Sequence, residues 1–235
     1  MEYAFTVFRC DPEVDDAPRF DTFTLEARGN QSVLEALIQI RDTQDGSLSF
    51  RYSCRGAICG SCAMMINGQP DLACRVQLQA LSSPEVTVEP LANLEIVKDL
   101  VVDMEPFWAA YRRVQPFLQG AAAEMDDDQS ERLVEFAKCV LCACCYSACP
   151  VVGSDEDYAG PAALAKLYRF VADPRDQRDY AALQAVDNQR GAWGCRTVFR
   201  CVEACPKQVR PVDGVEGLRR KLMGARLKAA MGKQR

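Results

Sequence analysis

The chain has 235 residues and a mass of 26.1 kDa, with 49% apolar and 26% charged residues, the balance of a folded protein with real cores rather than a disordered one. Its 13 cysteines, its lack of any histidine and its net charge of −5 are out of the ordinary. Without histidine there can be no mixed cysteine–histidine zinc finger, Rieske centre, haem ligated through a histidine of this chain, or Ser–His or Cys–His nucleophile pair.

The opening MEYAFTVFRCDPEVDD has no basic region and no small-residue cleavage site, so no secretory signal is expected. The longest apolar run, Cys139 to Val152, is 14 residues long and is interrupted by Tyr146 and Pro150. A membrane span takes about 20. A reducing, cytosolic setting is therefore expected, and there dense cysteine means metal binding or catalysis rather than disulfides. Zinc held by four thiolates is the plain alternative to a more elaborate centre.

Charge and texture change near residue 103. Residues 1–103 carry 8 basic and 16 acidic side chains, a net of −8, and the remainder carries 20 and 17, a net of +3. In chain order, Tyr3–Phe8 and the alternating Phe20–Leu25 predict strands. Ser32-Val33-Leu34-Glu35 is a capping box that opens a helix with Leu37, Ile38 and Ile40 as its apolar stripe. Met64-Met65-Ile66 runs into Asn67-Gly68, a tight-turn dipeptide, and Val86–Val88 is a further strand.

Helical texture follows. Pro106–Leu118 has aromatics at helical spacing, Gln129–Lys138 delivers Cys139, and Pro161 starts a helix that Asp173-Pro174 ends. Further helices are expected over Arg175–Val186 and from about Val215 onward. The fold class expected is α+β, with a small β-grasp-like domain over residues 1–104 and an all-α domain over residues 105–235.

The cysteine spacings carry the chemistry. Cys54, Cys59, Cys62 and Cys74 read C-x4-C-x2-C-x11-C, the plant-type [2Fe-2S] spacing rather than the paired C-x2-C of zinc ribbons. Arg55, Gly56, Gly60 and Ser61 make a small-residue loop whose N–H groups can approach cluster sulfurs. Cys139, Cys142, Cys145 and Cys149-Pro150 read C-x2-C-x2-C-x3-C-P, the bacterial ferredoxin run, whose fourth cysteine serves the other cluster of a pair. Its partner run is Cys195, Cys201 and Cys205-Pro206, with Val198 in the second position.

Exchanging fourth ligands gives Cys139, Cys142, Cys145 and Cys205 for a [4Fe-4S] cluster. It leaves Cys149, Cys195 and Cys201 for a second site. Three thiolates and one apolar gap suit [3Fe-4S], at a higher expected potential than the four-iron site. Cys10 and Cys144 remain, and both are expected to be packed thiols.

No nucleotide-binding glycine motif or P-loop is present. The acidic runs Asp126–Asp128 and Asp155–Asp157 read as solvated surface or loop. From Leu218 to Arg235 there are seven basic residues and no acid, read as a solvated helix face or as a contact with anionic headgroups or an anchor subunit. Nucleic acid is not expected at a pI of about 5.0. With no catalytic residues of its own, the chain reads as an electron conductor.

These runs, with the surrounding Tyr52-Ser53-Cys54-Arg55-Gly56-Ala57-Ile58-Cys59-Gly60-Ser61-Cys62-Ala63-Met64, Asn67-Gly68, Leu72-Ala73-Cys74, Val97–Asp103 and Cys205-Pro206-Lys207, resemble the iron–sulfur subunits of succinate dehydrogenase and fumarate reductase over nearly the whole chain. The resemblance implies partners: a flavoprotein subunit with FAD, where succinate and fumarate interconvert, and a membrane cytochrome b anchor. The chain would then be peripheral on the cytoplasmic side of the inner membrane. Val97–Asp103 would be the family's link between domains.

One branch of that family places tryptophans after the first Cys-Pro and a histidine after the first cysteine of the second run. Here Val151-Val152-Gly153 and Arg196 stand there, which speaks against a quinone pocket beside the [3Fe-4S] cluster. Gly194–Thr197 and Cys201–Cys205 look more like the dihaem, menaquinone-linked fumarate reductases, in which haem b would exchange electrons with the three-iron cluster. A soluble relay for another flavin-dependent reductase, of the thiol-linked fumarate or disulfide reductase type, is the alternative.

Overall fold

A computed structural model describes residues 1–27, 30–120 and 124–232. The chain divides into two compact units, Met1–Met104 with Val140–Ala148, and Glu105–Cys139 with Cys149–Arg235.

The first unit is built on a five-stranded mixed sheet. Its strands are β1 (Glu2–Arg9), β2 (Arg19–Glu26), β3 (Ala63–Ile66), β4 (Gln69–Leu72) and β5 (Glu85–Glu89), in the order β2-β1-β5-β3-β4. β1 is antiparallel to β2 and parallel to β5, and β3 is antiparallel to both β4 and β5. Strict alternation along β1 buries Tyr3, Phe5 and Val7. Against that face lies helix α1 (Val33–Thr43), which buries Val33, Leu34, Leu37 and Ile40. Its capping box forms as the sequence predicts: Ser32 Oγ accepts from Glu35 N–H at 3.2 Å and Glu35 Oε2 accepts from Ser32 N–H at 2.7 Å. Asn67 and Gly68, at φ of 48° and 75°, turn β3 into β4. Asn67 Oδ1 also accepts from Thr87 N–H on β5, at 2.7 Å.

The alternation of β1 carries on to Arg9, which is therefore buried and needs partners. Its guanidinium meets Asp99 at 3.1 Å, Asp21 at 3.2 Å, Ser47 Oγ at 2.7 Å, and Asp45. Asp99 also accepts from Cys10 N–H at 3.1 Å and Ser49 N–H at 2.9 Å. One buried ion pair thus joins the end of β1, the segment leading to the first cysteine loop, and a hairpin of β6 (Ile96–Lys98) and β7 (Val101–Val102). That hairpin occupies most of the stretch expected to be an interdomain link.

Among the described residues of the second unit every regular element is helical. Helices α2 (Glu105–Arg113), α3 (Asp127–Ala137), α5 (Gly160–Val171) and α8 (Pro211–Gly232) are the longer ones. Short helices α4 (Cys144–Ser147, in the first unit), α6 (Tyr180–Leu183) and α7 (Arg200–Glu203) complete the set. Asp126 caps α3 and accepts from Gln129 N–H at 2.7 Å, so part of that acidic run is a helix start rather than plain surface.

α5 and α8 cross closely. A Cβ on Gly214 would stand 2.9 Å from Ala165 Cα, and one on Gly217 would run into the Tyr168 ring. The helix expected over Arg175–Val186 is cut to α6 and a following 3-10 turn at Gln184–Val186. Local ion pairs hold the preceding residues as a loop: Arg175 turns back onto Asp173 at 2.7 Å and Arg178 onto Asp176 at 2.8 Å.

The segment Val140–Ala148 belongs to the first unit, so a single cut after residue 104 does not describe the packing. α4 lies against β4, and Asn93 Nδ2 donates to Ser147 O at 2.9 Å. Gly60, at φ 77°, makes this possible: a Cβ there would sit 3.0 Å from Val140 O and 3.1 Å from Cys142 Cα.

Candidate functional site

All four residues of the first set lie in the first unit. The loop from Cys54 to Cys62 folds back through left-handed Arg55 (φ 55°), Ala57 (φ 57°) and Gly60. These conformations are costly for side-chain-bearing residues and persist where the loop has a job that demands them. Their effect is to turn N–H groups towards sulfur. Gly56, Ile58 and Cys59 N–H donate to Cys54 Sγ at 3.4, 3.3 and 3.2 Å, Ala57 N–H to Cys74 Sγ at 3.3 Å, and Cys54 N–H to Cys59 Sγ at 3.4 Å.

Electrostatics follow burial. Some burial works against the Cys59 thiolate, but hydrogen bonds from Ser61 and Cys54 outweigh it and bring the thiol down to about 6. Cys62, 3% exposed, is pushed by burial up to about 12. Tyr52 beside the loop lies under Arg41 and Arg55, 5.6 and 5.2 Å from its ring centre. Four thiols with inward N–H donors are the donor set that an iron–sulfur cluster needs.

The second run begins in the second unit with Cys139, which packs with Cys205 against Phe136, Ala165 and Val209. Val209 N–H donates to Cys205 Sγ at 3.2 Å. Cys142 and Cys145 lie in the first unit's segment Val140–Ala148. Cys144 is fully buried, and its hydrogen bond to the Cys142 sulfur lowers the Cys142 thiol while raising its own. Cys10 is buried at the end of β1.

The third set is brought together within the second unit. Cys149, Cys195 and Cys201 line one cavity with Val198 and the buried Tyr158. Burial pushes the Cys201 thiol up to about 12 and raises that of Cys149, with N–H groups of Val152 and Val151 pulling the latter back. Tyr158 is raised by burial and by the three cysteines around it. Thr197 N–H donates to Cys195 Sγ at 3.4 Å.

The two runs share a backbone shape that was not visible in the sequence. Leu141 and Ala143, at φ 56° and 66°, bracket Cys142, and a one-turn helix follows. Thr197 and Phe199, at φ 55° and 60°, bracket Val198 in the same way, and another one-turn helix follows. Val198 therefore stands in the slot that Cys142 fills in the first run. Among the described residues, no three Cys, Asp or Glu side chains form the shell of a single metal ion.

Residues 4–109 match the model of a 2Fe-2S iron-sulfur cluster binding domain, and residues 135–209 that of a 4Fe-4S dicluster domain. The chain is 36% identical over 227 residues to the fumarate reductase iron-sulfur subunit of Haemophilus influenzae, covering 89% of this chain and 88% of that one. The chain belongs to the family of fumarate reductase and succinate dehydrogenase iron–sulfur subunits.

The corresponding fumarate reductase subunit of Mycobacterium tuberculosis is 38% identical over 218 residues, with the same coverage. A chain of the Mycobacterium smegmatis Sdh1 complex in the apo form superposes with a TM-score of 0.83 at 26% identity, over 94% of this chain and 95% of that one. The α+β expectation, a [2Fe-2S] ferredoxin domain followed by a helical dicluster domain, agrees with these matches. The four-thiolate zinc alternative does not belong to such a family.

Sequence reasoning missed the residues that hold the thiol loops without touching a metal. Arg9 and Asp99 anchor the segment before Cys54. Arg219 of α8 donates to Ala192 O at 2.8 Å and Cys195 O at 2.6 Å. The placement of Arg9 in a strictly alternating strand was a usable signal for the first, whereas none existed for the second.

Proposed function

We propose that this subunit relays electrons between the FAD of a flavoprotein partner and a membrane cytochrome b anchor, in a succinate:quinone oxidoreductase or quinol:fumarate reductase complex. Cys54, Cys59, Cys62 and Cys74 would hold [2Fe-2S]; Cys139, Cys142, Cys145 and Cys205 would hold [4Fe-4S]; Cys149, Cys195 and Cys201 would hold [3Fe-4S]. Bound clusters of these kinds supply one-electron transfer between a two-electron flavin and a quinone.

The chain's own residues do the rest. The left-handed loops aim N–H groups at the sulfurs, and Tyr158 and Val198 border the cavity that the third set lines. The observation that carries the three-iron assignment is the repeated backbone of the two runs, with Val198 in the position of Cys142. An apolar side chain there offers no ligand to a fourth iron.

The finer proposal is a dihaem anchor that uses menaquinone, with the complex on the cytoplasmic side of the inner membrane. It is supported by Val151-Val152-Gly153 and Arg196 beside the third set. Among the described residues no helix is long and apolar enough to cross a membrane, so a partner would supply the anchorage.

Low-temperature EPR of the anaerobically purified complex tests the reading. A three-iron signal in the oxidised sample, followed by [2Fe-2S] and [4Fe-4S] signals on stepwise reduction, is expected. Val198→Cys should replace the three-iron signal by a second four-iron one. Two four-iron clusters in the unaltered protein would overturn the assignment, as would a Val198→Cys protein that keeps three irons. Co-purification of a haem-bearing membrane subunit tests the choice of anchor.

A further inference from the structure

The basic stretch from Leu218 onward was open to two readings, a solvated face or a contact with headgroups. The described part of it shows a third use. Lys233 and Arg235 lie outside the described residues, but the half-buried Arg219 and the more exposed Arg226 both make contacts within the second unit. Arg219 Nε donates to Ala192 O at 2.8 Å and its Nη2 to Cys195 O at 2.6 Å. These carbonyls belong to the short turn that presents the Cys195 thiol to the cavity shared with Cys149 and Cys201.

The Trp193 ring between those two residues lies 5.7 Å from the Arg219 guanidinium and 5.4 Å from that of Arg226. The indole N–H donates to Asp187 at 2.6 Å, and Asp187 also accepts from Tyr180 Oη at 2.5 Å and from Arg226 Nε at 2.7 Å. Burial works against the Asp187 charge, yet these three donors hold its carboxyl below the usual range. α8 is thus fastened to the Cys195 turn at two points one helical repeat of seven residues apart. The outer point is neutralised by Asp187. At the inner one, Arg219, both guanidinium hydrogen bonds go to neutral carbonyls and the ring it meets, Trp193, is neutral too, so none of these contacts cancels its positive charge.

We propose that Arg219 is a positioning residue for the third thiol set. It fixes the main chain of Cys195 and places a fixed cation beside that cysteine, raising the reduction potential of the centre held there. A cation near a cluster favours the more negative, reduced state, and cluster potentials respond to local charge and to the groups orienting the ligands. A guanidinium fork suits the task because it grips two carbonyls in one plane, which an ammonium cannot do. The inference rests on the reading that Cys149, Cys195 and Cys201 hold a cluster, and it does not depend on whether that cluster has three or four irons.

The test is a redox titration of the whole anaerobic complex followed by low-temperature EPR, on the unaltered protein and on Arg219→Gln, Arg219→Lys and Arg226→Gln. A third centre absent from the unaltered protein refutes the underlying reading, and with it this one. A third centre present there isolates the role of Arg219. Arg219→Gln is then expected to lower the midpoint potential of the third centre, or to lose that centre alone, with the other two unmoved. Arg219→Lys should recover much of the potential, and Arg226→Gln should leave it near the unaltered value.

An unchanged potential in Arg219→Gln overturns the proposal. An equal shift in Arg226→Gln also overturns it, because the effect would then belong to the whole helix. Loss of all three centres in both Arg219 variants would make the residue a folding element, and the local assignment would fall.

Discussion

Cys54 and Cys59 are exposed in the first unit, and the loop around them directs five backbone N–H groups at thiol sulfurs. In the second unit Cys149 is buried, Cys195 and Cys201 are half-buried, and the turn bearing Cys195 is gripped by the Arg219 side chain of α8, 24 residues further along the chain. At the first site the sulfurs of Cys54, Cys59 and Cys74 receive main-chain donors that belong to the motif itself, and only Cys62 is deeply buried. The third is shaped by distant packing, and burial there works against the thiolate form of Cys201. An exposed loop can be specified by a dozen consecutive residues. A buried one needs the helices that enclose it.

The largest expected effect on this contrast comes from Asp99→Ala. It removes one partner of a buried pair, leaving the Arg9 side chain, 4% exposed, without its innermost carboxylate. Removing one partner of such a pair costs about 3–5 kcal/mol. Urea unfolding followed by the visible signal of the [2Fe-2S] centre should show that loss, while signals from the second unit move little.

Gly217→Val should act on the other side of the comparison. Its side chain would collide with the Tyr168 ring at the α5–α8 crossing, a strain of about 1–3 kcal/mol. Thermal unfolding should report it, with the third centre affected before the first because α8 carries Arg219.

Ser32→Ala removes the side-chain half of the α1 cap, at about 1 kcal/mol. Denaturant midpoints should detect this without any change in cluster content.

The smallest effect, and the sharpest contrast within one loop, is one of pH. Cys59 has its thiol lowered to about 6, so in the metal-free chain it ionises as pH rises through that value. Cys62 and Cys201 stay protonated until about 12. Alkylation mapped by mass spectrometry should label Cys59 from about pH 6 upward and the other two only in strong alkali. Equal labelling of Cys59 and Cys62 at neutral pH would contradict the difference in burial.

The sequence made the first unit largely legible because its signals are local. Alternation gave β1 and β2, the capping box gave α1, and Asn67-Gly68 gave the turn. β4 was missed because Gln69-Pro70-Asp71-Leu72 has poor strand propensity and is a strand only through pairing with β3. The helix expected over Arg175–Val186 failed for the opposite reason. Asp173 and Asp176 capture Arg175 and Arg178 in tight local pairs that compete with helix formation. The three thiol sets were read from spacing alone, since metal ligation constrains both residue type and interval.

The sequence by itself determined the cysteine runs, their kinship with a family of iron–sulfur subunits, and the gap at Val198. Tertiary structure decided that Val140–Ala148 packs with the first unit, that Arg9 needs Asp99, and that the basic helix α8 reaches back to Cys195. The physical reason is range. Ligand spacing, caps and turns act within a dozen residues and leave their mark on the string. The charges and close contacts that set each site's environment join residues 24 to 90 positions apart, and only the folded chain brings those together.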